Sequence, residues 1–167
     1  MWRKQELGRK KEMVKVPPCR EEMDQVFRWC RQGNWKAVRN AIAYNALVAT
    51  TNMIMGNNIS TTVLHQAITS KSEDEEARKN LILDVLEIAP EAARIRNGYG
   101  SLPLHVICQR NTKFDSEKAK IVIRALMNSY EGALIQPGGV GRRTPIHIIF
   151  TGTWWRACLA FRSSIII

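Results

Sequence analysis

A nine-residue element recurs three times in this chain and constrains its fold more than any other feature. The copies span residues 57–65, 97–105 and 139–147, and each copy ends in a histidine. These histidines, His65, His105 and His147, are 40 and 42 residues apart. A fixed period of about 20 to 50 residues is typical of stacked-repeat architectures. The sequence therefore predicts an array of similar structural units.

Each copy of the element combines a turn with the start of a helix. Gly98 and Gly100 are expected to supply the positive φ angles that a tight turn needs. Pro103 suits the first position of a helix, where its missing N–H would have no partner anyway. Thr62 and Thr144 stand just before the equivalent position, where a hydroxyl can cap free backbone amides. The element is therefore interpreted as a turn that leads into a helix.

The recurring pattern resembles the ankyrin repeat, whose signature includes Thr-Pro-Leu-His-x-Ala. The resemblance is carried by residues 62–67, 103–105 and 144–147. It implies an all-α fold, an ankyrin-like solenoid of stacked helix-turn-helix repeats with turn tips projecting from one side. The period is longer than the ankyrin period of about 33 residues. Leu102 also stands where the signature has Thr, and Arg142 stands where a turn glycine is expected.

The length of 167 residues favours one domain. We expect a basic, flexible N-terminal arm at 1–20, an ankyrin-like repeat domain at 21–161 and an apolar tail at 162–167. The four predicted repeats are 21–46, 57–96, 97–136 and 139–161.

Apolar residues at helical spacing predict which faces are packed. Ile121, Val122 and Leu126 form an expected packing stripe on the second helix of the third repeat. Trp29 and Trp35 are interpreted as core residues, with exposed ligand anchors as the alternative.

The net charge of +10 is concentrated at the two ends of the chain. Residues 1–23 carry seven basic and four acidic residues, and residues 142–167 carry four basic and no acidic residues. This distribution supports an alternative function, an anion-binding protein that engages nucleic acid or an acidic membrane surface through its basic ends. The basic cluster at 9–11 is interpreted either as an import or anion-binding patch or as part of a solubilising tail.

Cysteine usage and the N-terminus bear on the compartment. None of the four cysteines forms a Cys-x-x-Cys pair, which favours reduced thiols in an intracellular protein, in the cytoplasm or nucleus. The first residues lack the apolar run of a secretory signal. No run of about 18 uninterrupted apolar residues exists, so no transmembrane segment is expected.

The sequence patterns do not favour an enzyme or a metal protein. Equivalent histidines in neighbouring repeats are expected to be separated by about 10 Å, the distance between packed helices, whereas zinc ligands lie about 2 Å from one ion. We therefore expect structural, hydrogen-bonded histidines, with no catalytic residue, no metal and no cofactor. The glycine-rich residues 138–143 lack the Gly-Lys-Ser/Thr ending of a phosphate loop and are interpreted as a repeat turn.

The resemblance implies a non-enzymatic protein–protein interaction module, a scaffold or adaptor whose partner is another protein. First helices and turn tips would form the binding surface. Tyr99 is the leading candidate, because Tyr is enriched at binding hot spots. The candidates on the first helices are Gln66, Thr69, Ser70, Val106, Gln109, Arg110, Ile148 and Thr151, and those at the tips are Asn58, Gly98, Tyr99 and Val140.

The C-terminal residues 154–167 are apolar and basic, whereas repeat stacks need a polar terminal cap. We therefore expect that the chain self-associates through this end or is a shortened version of a longer repeat protein. Sedimentation of the intact chain should show association, and removal of residues 154–167 should reduce it. A monomer in which Trp154 and Trp155 are shielded from a fluorescence quencher would contradict this expectation.

Overall fold

The computed structural model describes residues 16–54, 59–109 and 116–151, and helices account for 67% of these residues. The prediction of an all-α class is thereby confirmed. Within the described ranges, no helix combines the length and the apolarity needed to cross a membrane. The helices are α1 (Arg20–Gln32), α2 (Trp35–Tyr44), α3 (Leu47–Thr50), α4 (Val63–Thr69), α5 (Glu75–Ile88), α6 (Pro103–Cys108), α7 (Ser116–Ser129) and α8 (Pro145–Thr151), with 3-10 helices at Pro90–Arg94 and Glu131–Ile135.

Seven of the eight described α-helices, all except α3, form two series of contacts, which we call rows. In the first row α1 contacts α4, α4 contacts α6 and α6 contacts α8. In the second row α2 contacts α5, and α5 contacts α7. The chain alternates between the rows, because α1 packs on α2, α4 on α5 and α6 on α7. One helix of each row therefore falls in each of the first three predicted repeats, whose boundaries stay a prediction.

Local side-chain caps explain where several helices begin. Asn34 accepts a hydrogen bond from the backbone N–H of Ala37 at 3.2 Å at the start of α2, and Asp74 accepts one from Ala77 at 2.9 Å at the start of α5. Such caps satisfy amides that have no partner within the helix. Helix α1 begins at Arg20, and the predicted arm at 1–20 lies mostly outside the described residues and stays a prediction.

Both rows contribute to one continuous hydrophobic core. Leu64 and Leu104 occupy equivalent positions of the recurring element, and both are buried. The third equivalent residue, Ile146 on α8, is 37% exposed. Helix α8 contacts α6, but no further first-row helix follows it within the described residues. The burial of the same motif therefore depends on its neighbours.

The connection between the first two repeats contains a small antiparallel hairpin. Strand β1 (Met53–Ile54) pairs with β2 (Ser60–Thr61), with Met53 opposite Thr61 and Ile54 opposite Ser60. The sequence does not indicate this hairpin, since strands of two residues are too short to show the alternating pattern of a longer strand.

One part of the predicted packing stripe on α7 is wrong. Val122 and Leu126 are buried as expected, but Ile121 is 45% exposed. Neighbouring residues of a helix are rotated by about 100° from each other, so Ile121 leaves the core when Val122 enters it. Ile121 instead lines a groove between α5 and α7 with Leu83 and Ala125.

The equivalent burial of Leu64 and Leu104 predicts similar costs of truncation. Leu64→Ala and Leu104→Ala should each lower the free energy of unfolding by about 2–5 kcal/mol, because each leaves a cavity between packed helices. Ile54→Ala, at a residue that is 67% exposed, is the control and should cost well under 1 kcal/mol. Urea denaturation followed by circular dichroism measures all three variants. A cost below about 1 kcal/mol for Leu104→Ala would contradict the described packing.

Candidate functional site

The turns that precede the first-row helices touch one another. We call the described residues 51–54 and 59–62 turn 1, residues 95–102 turn 2 and residues 136–144 turn 3. The backbone N–H of Gly98 donates to the carbonyl of Ser60 at 2.7 Å, which joins turn 2 to turn 1. A Cβ atom added to Gly138 would lie only 2.9 Å from the carbonyl oxygen of Gly100, so the backbone of turn 3 lies close to that of turn 2. Glycine is required at both contacts because a side chain would occupy the space of a neighbouring backbone.

The turn conformations agree only partly with the expectation. Gly100 has a φ of 73°, as the tight-turn interpretation requires. Gly98 does not have a positive φ, so its predicted conformation is wrong, and its close approach to turn 1 explains the glycine instead. In turn 3, Gly139 and Gly141 have φ angles of 70° and 95°, and Arg142 has a φ of 49°. Arg142 stands at the position where a glycine was expected, and it adopts the left-handed conformation although it has a side chain.

His65 links helix α4 to turn 2. Its Nε2 atom lies 3.0 Å from the carbonyl oxygen of Ser101, and its Nδ1 atom lies 2.8 Å from the hydroxyl oxygen of Thr62. A carbonyl oxygen can only accept, so Nε2 carries the hydrogen and Nδ1 accepts from the Thr62 hydroxyl. Burial lowers the pKa of His65 from 6.5 to about 4, although its bond to the Ser101 carbonyl opposes that shift. The imidazole is therefore neutral at physiological pH.

His105 repeats this link between helix α6 and turn 3. Its Nε2 donates to the carbonyl of Gln136 at 2.9 Å, and its Nδ1 accepts from the backbone N–H of Leu102 at 3.2 Å. Leu102 has no hydroxyl, so its amide takes the role that the Thr62 hydroxyl has for His65. Burial lowers the pKa of His105, and the Gln136 carbonyl raises it to a smaller extent. The third histidine, His147, is exposed, with Nδ1 at 2.7 Å from the hydroxyl of Thr144.

Arg96 adds a second bond between turn 2 and turn 3. Its guanidinium donates to the carbonyl oxygens of Gly100 at 2.7 Å and Pro137 at 2.8 Å, and to the side-chain oxygen of Gln136 at 3.3 Å. No motif of the sequence points to this residue. No local pattern could have done so, because two of its three partners lie 40 and 41 residues further along the chain.

The predicted binding residues divide into three groups. Tyr99 is 53% exposed and Val140 is 90% exposed, while Thr69, Gln109 and Gly98 are also exposed. Gln66, Ser70 and Ile148 are half-buried. Arg110 and Asn58 lie outside the described residues, as does the side chain of Thr151.

The prediction that Val106 is exposed is wrong, because this side chain is only 8% exposed. Helix α6 is six residues long and lies between α4 and α8, and all six of its residues are buried. Val106 is therefore not accessible to a partner in the described structure.

Some of the polar candidates already make hydrogen bonds or close contacts within the fold. The Thr69 hydroxyl donates to the carbonyl of His65 at 3.0 Å, and the Ser70 hydroxyl oxygen accepts from the backbone of Ser72 at 3.2 Å. Gln109 lies beneath turn 3, with its amide nitrogen 3.8 Å from where a Cβ on Gly139 would lie. These contacts stabilise the fold and leave the turns as the more accessible part of the surface.

Four exposed residues of turns 2 and 3 form one neighbourhood, which we call the tip surface: Tyr99, Val140, Arg142 and Arg143. A Cβ on Gly100 would lie 3.9 Å from the backbone nitrogen of Gly139, so the two turns are in contact. Tyr99 directly precedes Gly100, and Val140 directly follows Gly139. The aromatic and the aliphatic side chain are thereby carried by touching segments of backbone.

The described residues contain no group of three or more His, Cys, Asp and Glu side chains that could hold a metal ion. The apolar C-terminal residues 154–167, for which self-association is predicted, lie outside the described part of the chain.

Comparison of the chain with protein-family models, with curated proteins and with solved structures found no match in any of the three. The assignment of a function therefore rests on the residues of this chain.

The lowered pKa of His65 predicts a specific loss of stability in acid. The His65 imidazole takes up a proton near pH 6.5 in the unfolded chain but only near pH 4 in the folded chain. The contribution of His65 to stability is therefore fully present above pH 6.5 and is lost as the pH falls to 4. The His65 contribution to this loss should be about 3 kcal/mol.

Urea denaturation of the wild type and of His65→Gln at several pH values measures this contribution. Gln cannot bind a proton in this range, so the variant should lack that part of the pH dependence. Parallel curves for the two proteins across the range would contradict the described environment of His65.

Proposed function

We propose that this chain is a non-enzymatic protein–protein interaction module of the ankyrin-like type, a scaffold or adaptor that binds another protein. The tip surface and the exposed ends of the first-row helices make the contact. The observation that carries the proposal is the pair of exposed apolar side chains, Tyr99 and Val140, on two touching turns.

The arrangement of helices and turns supports the ankyrin-like part of the proposal. Helices alternate between two rows, and the turns before α4, α6 and α8 follow one another on the chain at the predicted period. The Thr–His pairs of the motif are hydrogen-bonded, Thr62 with His65 and Thr144 with His147. The same hydrogen bond thus forms at two copies of the motif, which explains why Thr and His occur together in both.

The rigidity of turns 2 and 3 supports a role in binding. The Arg96 guanidinium bonds to both turns, and His105 bonds to the first carbonyl of turn 3. Residues that are ordered before binding lose less conformational entropy when a partner arrives. Tyr99 combines this order with a large amphipathic side chain, which is the property that makes Tyr common at hot spots.

The states of the buried titratable groups support a non-enzymatic role. His65 and His105 use both ring nitrogens in bonds to the neighbouring backbone or to a threonine hydroxyl. Burial raises the pKa of the Cys30 thiol to about 12, which keeps it in the unreactive protonated form. An intracellular location, in the cytoplasm or nucleus, remains part of the proposal.

Binding of nucleic acid or an acidic membrane through the basic ends is the alternative function. Most of the basic residues in residues 1–23 and 142–167 lie outside the described ranges. Salt dependence separates the two functions, since phosphate contacts release counterions and weaken steeply as salt rises.

A photo-crosslinking amino acid at position 99 tests the proposed function. In a lysate from the native host, the Tyr99 derivative should crosslink to a protein partner at low and at moderate salt. The matched control carries the crosslinker at Arg124, an exposed residue of the second-row helix α7, and should not capture that partner. The double variant Tyr99→Ala, Val140→Ser should co-purify less of the partner than the wild type does.

Two results would contradict the proposal. One is capture of the same proteins at positions 99 and 124, which would indicate non-specific contact. The other is a bound fraction that consists of nucleic acid and dissociates at moderate salt.

A further inference from the structure

The acidic residues of this chain avoid the turns and helices that form the proposed binding surface. Residues 25–72, 92–114 and 132–167 contain no Asp or Glu. These ranges include all of α4, α6 and α8 and all three turns. The acidic residues in the described ranges lie instead on α1, on α5 with the residues just before it, on α7, and at the starts of the 3-10 helices.

Turns 2 and 3 therefore carry positive charge without compensation. Residues 92–109 and 132–151 contain four arginines and no acidic residue. Two of these arginines serve the fold: Arg96 bonds to backbone carbonyls, and the Arg94 guanidinium lies over the Tyr130 ring at 5.2 Å from its centre. The other two, Arg142 and Arg143, are exposed, and no carboxylate within the described residues forms an ion pair with either.

The backbone of turn 3 holds Arg142 and Arg143 in a defined place. The backbone N–H of Gly138 donates to the carbonyl of Arg143 at 3.0 Å, and that of Arg142 donates to Gly139 at 3.1 Å. Arg142 and Arg143 are thus carried by a closed segment, residues 138–143, that also carries the exposed side chain of Val140. Two forked cations beside an aliphatic side chain form a site with both charge and apolar character.

We propose that the partner segment recognised by the tip surface is acidic, with at least one apolar side chain that packs on Tyr99 and Val140 and with carboxylates that bind Arg142 and Arg143. This inference rests on the proposed protein-binding function and specifies the chemistry of the partner. Arginine suits this role because its planar guanidinium can bind both oxygens of a carboxylate. The uncompensated positive charge also accelerates the approach of an acidic partner.

An acidic peptide fits this surface better than a nucleic acid does. Val140 is 90% exposed, and an aliphatic side chain gains little from contact with a charged phosphate backbone. Affinity for nucleic acid comes chiefly from phosphate contacts made by Lys and Arg. Beyond Arg96, which bonds to backbone carbonyls, turns 2 and 3 offer only Arg142 and Arg143 for such contacts. A peptide with alternating carboxylates and apolar side chains can satisfy both kinds of group at once.

Selection from a random peptide library tests the inference on the full chain. The wild type, Arg142→Glu and Arg143→Glu are each used as bait, with Arg124→Glu on α7 as the matched charge reversal away from the turns. Peptides enriched on the wild type are synthesised and titrated by fluorescence anisotropy against all four proteins. Circular dichroism and urea denaturation establish that each variant is folded.

The wild type should enrich peptides of negative net charge that contain an aromatic or branched aliphatic residue. Each reversal at 142 or 143 should weaken their binding by about tenfold or more, as loss of a charge-assisted hydrogen bond does, and Arg124→Glu should leave it within about twofold. Tyr99→Ala should weaken binding without changing its salt dependence, because the tyrosine contributes no charge.

The remaining outcomes separate the two proposals. Neutral or basic peptides that depend on Tyr99 would overturn the acidic partner while the protein-binding function stands. Binding that Arg124→Glu weakens as much as Arg142→Glu would overturn the tip surface as its place. No enriched peptide, together with no crosslink at position 99, would overturn both proposals. A thymidine oligonucleotide could also displace the peptides when its phosphates are as concentrated as the carboxylates of the peptides. That result would overturn the acidic peptide as the partner and show that the arginines bind phosphates instead.

Discussion

The contact between helices α4 and α6 and the turns that follow them depends on a hydrogen bond from a buried histidine to the backbone of the next turn. His65 donates to Ser101, and His105 donates to Gln136, so α4 is tied to turn 2 and α6 is tied to turn 3. The bond requires a neutral imidazole with its hydrogen on Nε2, and in both cases an adjacent donor fixes Nδ1 as the acceptor. Burial favours the same neutral form, because a charged imidazole is costly away from water. The charge state, the tautomer and the packing of the turns therefore support one another.

This linkage also positions the residues to which we assign binding. The carbonyls that receive the histidine bonds belong to turns 2 and 3, and Arg96 joins the same two turns from the outside. With the backbone held on both sides, Tyr99 and Val140 project from a surface that does not need to be ordered by the partner. In the proposed function, the core around α6 contributes to recognition indirectly, by fixing turns 2 and 3.

The same motif has different surroundings at different places in the stack. Leu64 and Leu104 are buried between neighbouring helices, whereas Ile146 is 37% exposed at the last described first-row helix. Val106 shows the opposite case, because an expected surface residue is covered by the helices on either side of α6. The environment of each of these residues depends on which helices pack against its own. Position within the motif alone therefore does not decide exposure.

The sequence by itself determined the local features of this protein. Helical periodicity, the Thr62 cap, Pro103 at a helix start and the glycine-rich turns each depend on residues within a few positions, which is why the all-α class could be predicted. Only the tertiary structure decided which turns touch, since two of the three partners of Arg96 lie 40 and 41 residues away and Gly98 is required by the backbone of turn 1. The tip surface is likewise a feature that only the tertiary structure decided. Its charge pattern can be read along the chain, but the contact between Gly100 and Gly139 that brings its residues together arises only from the packing of turn 2 against turn 3.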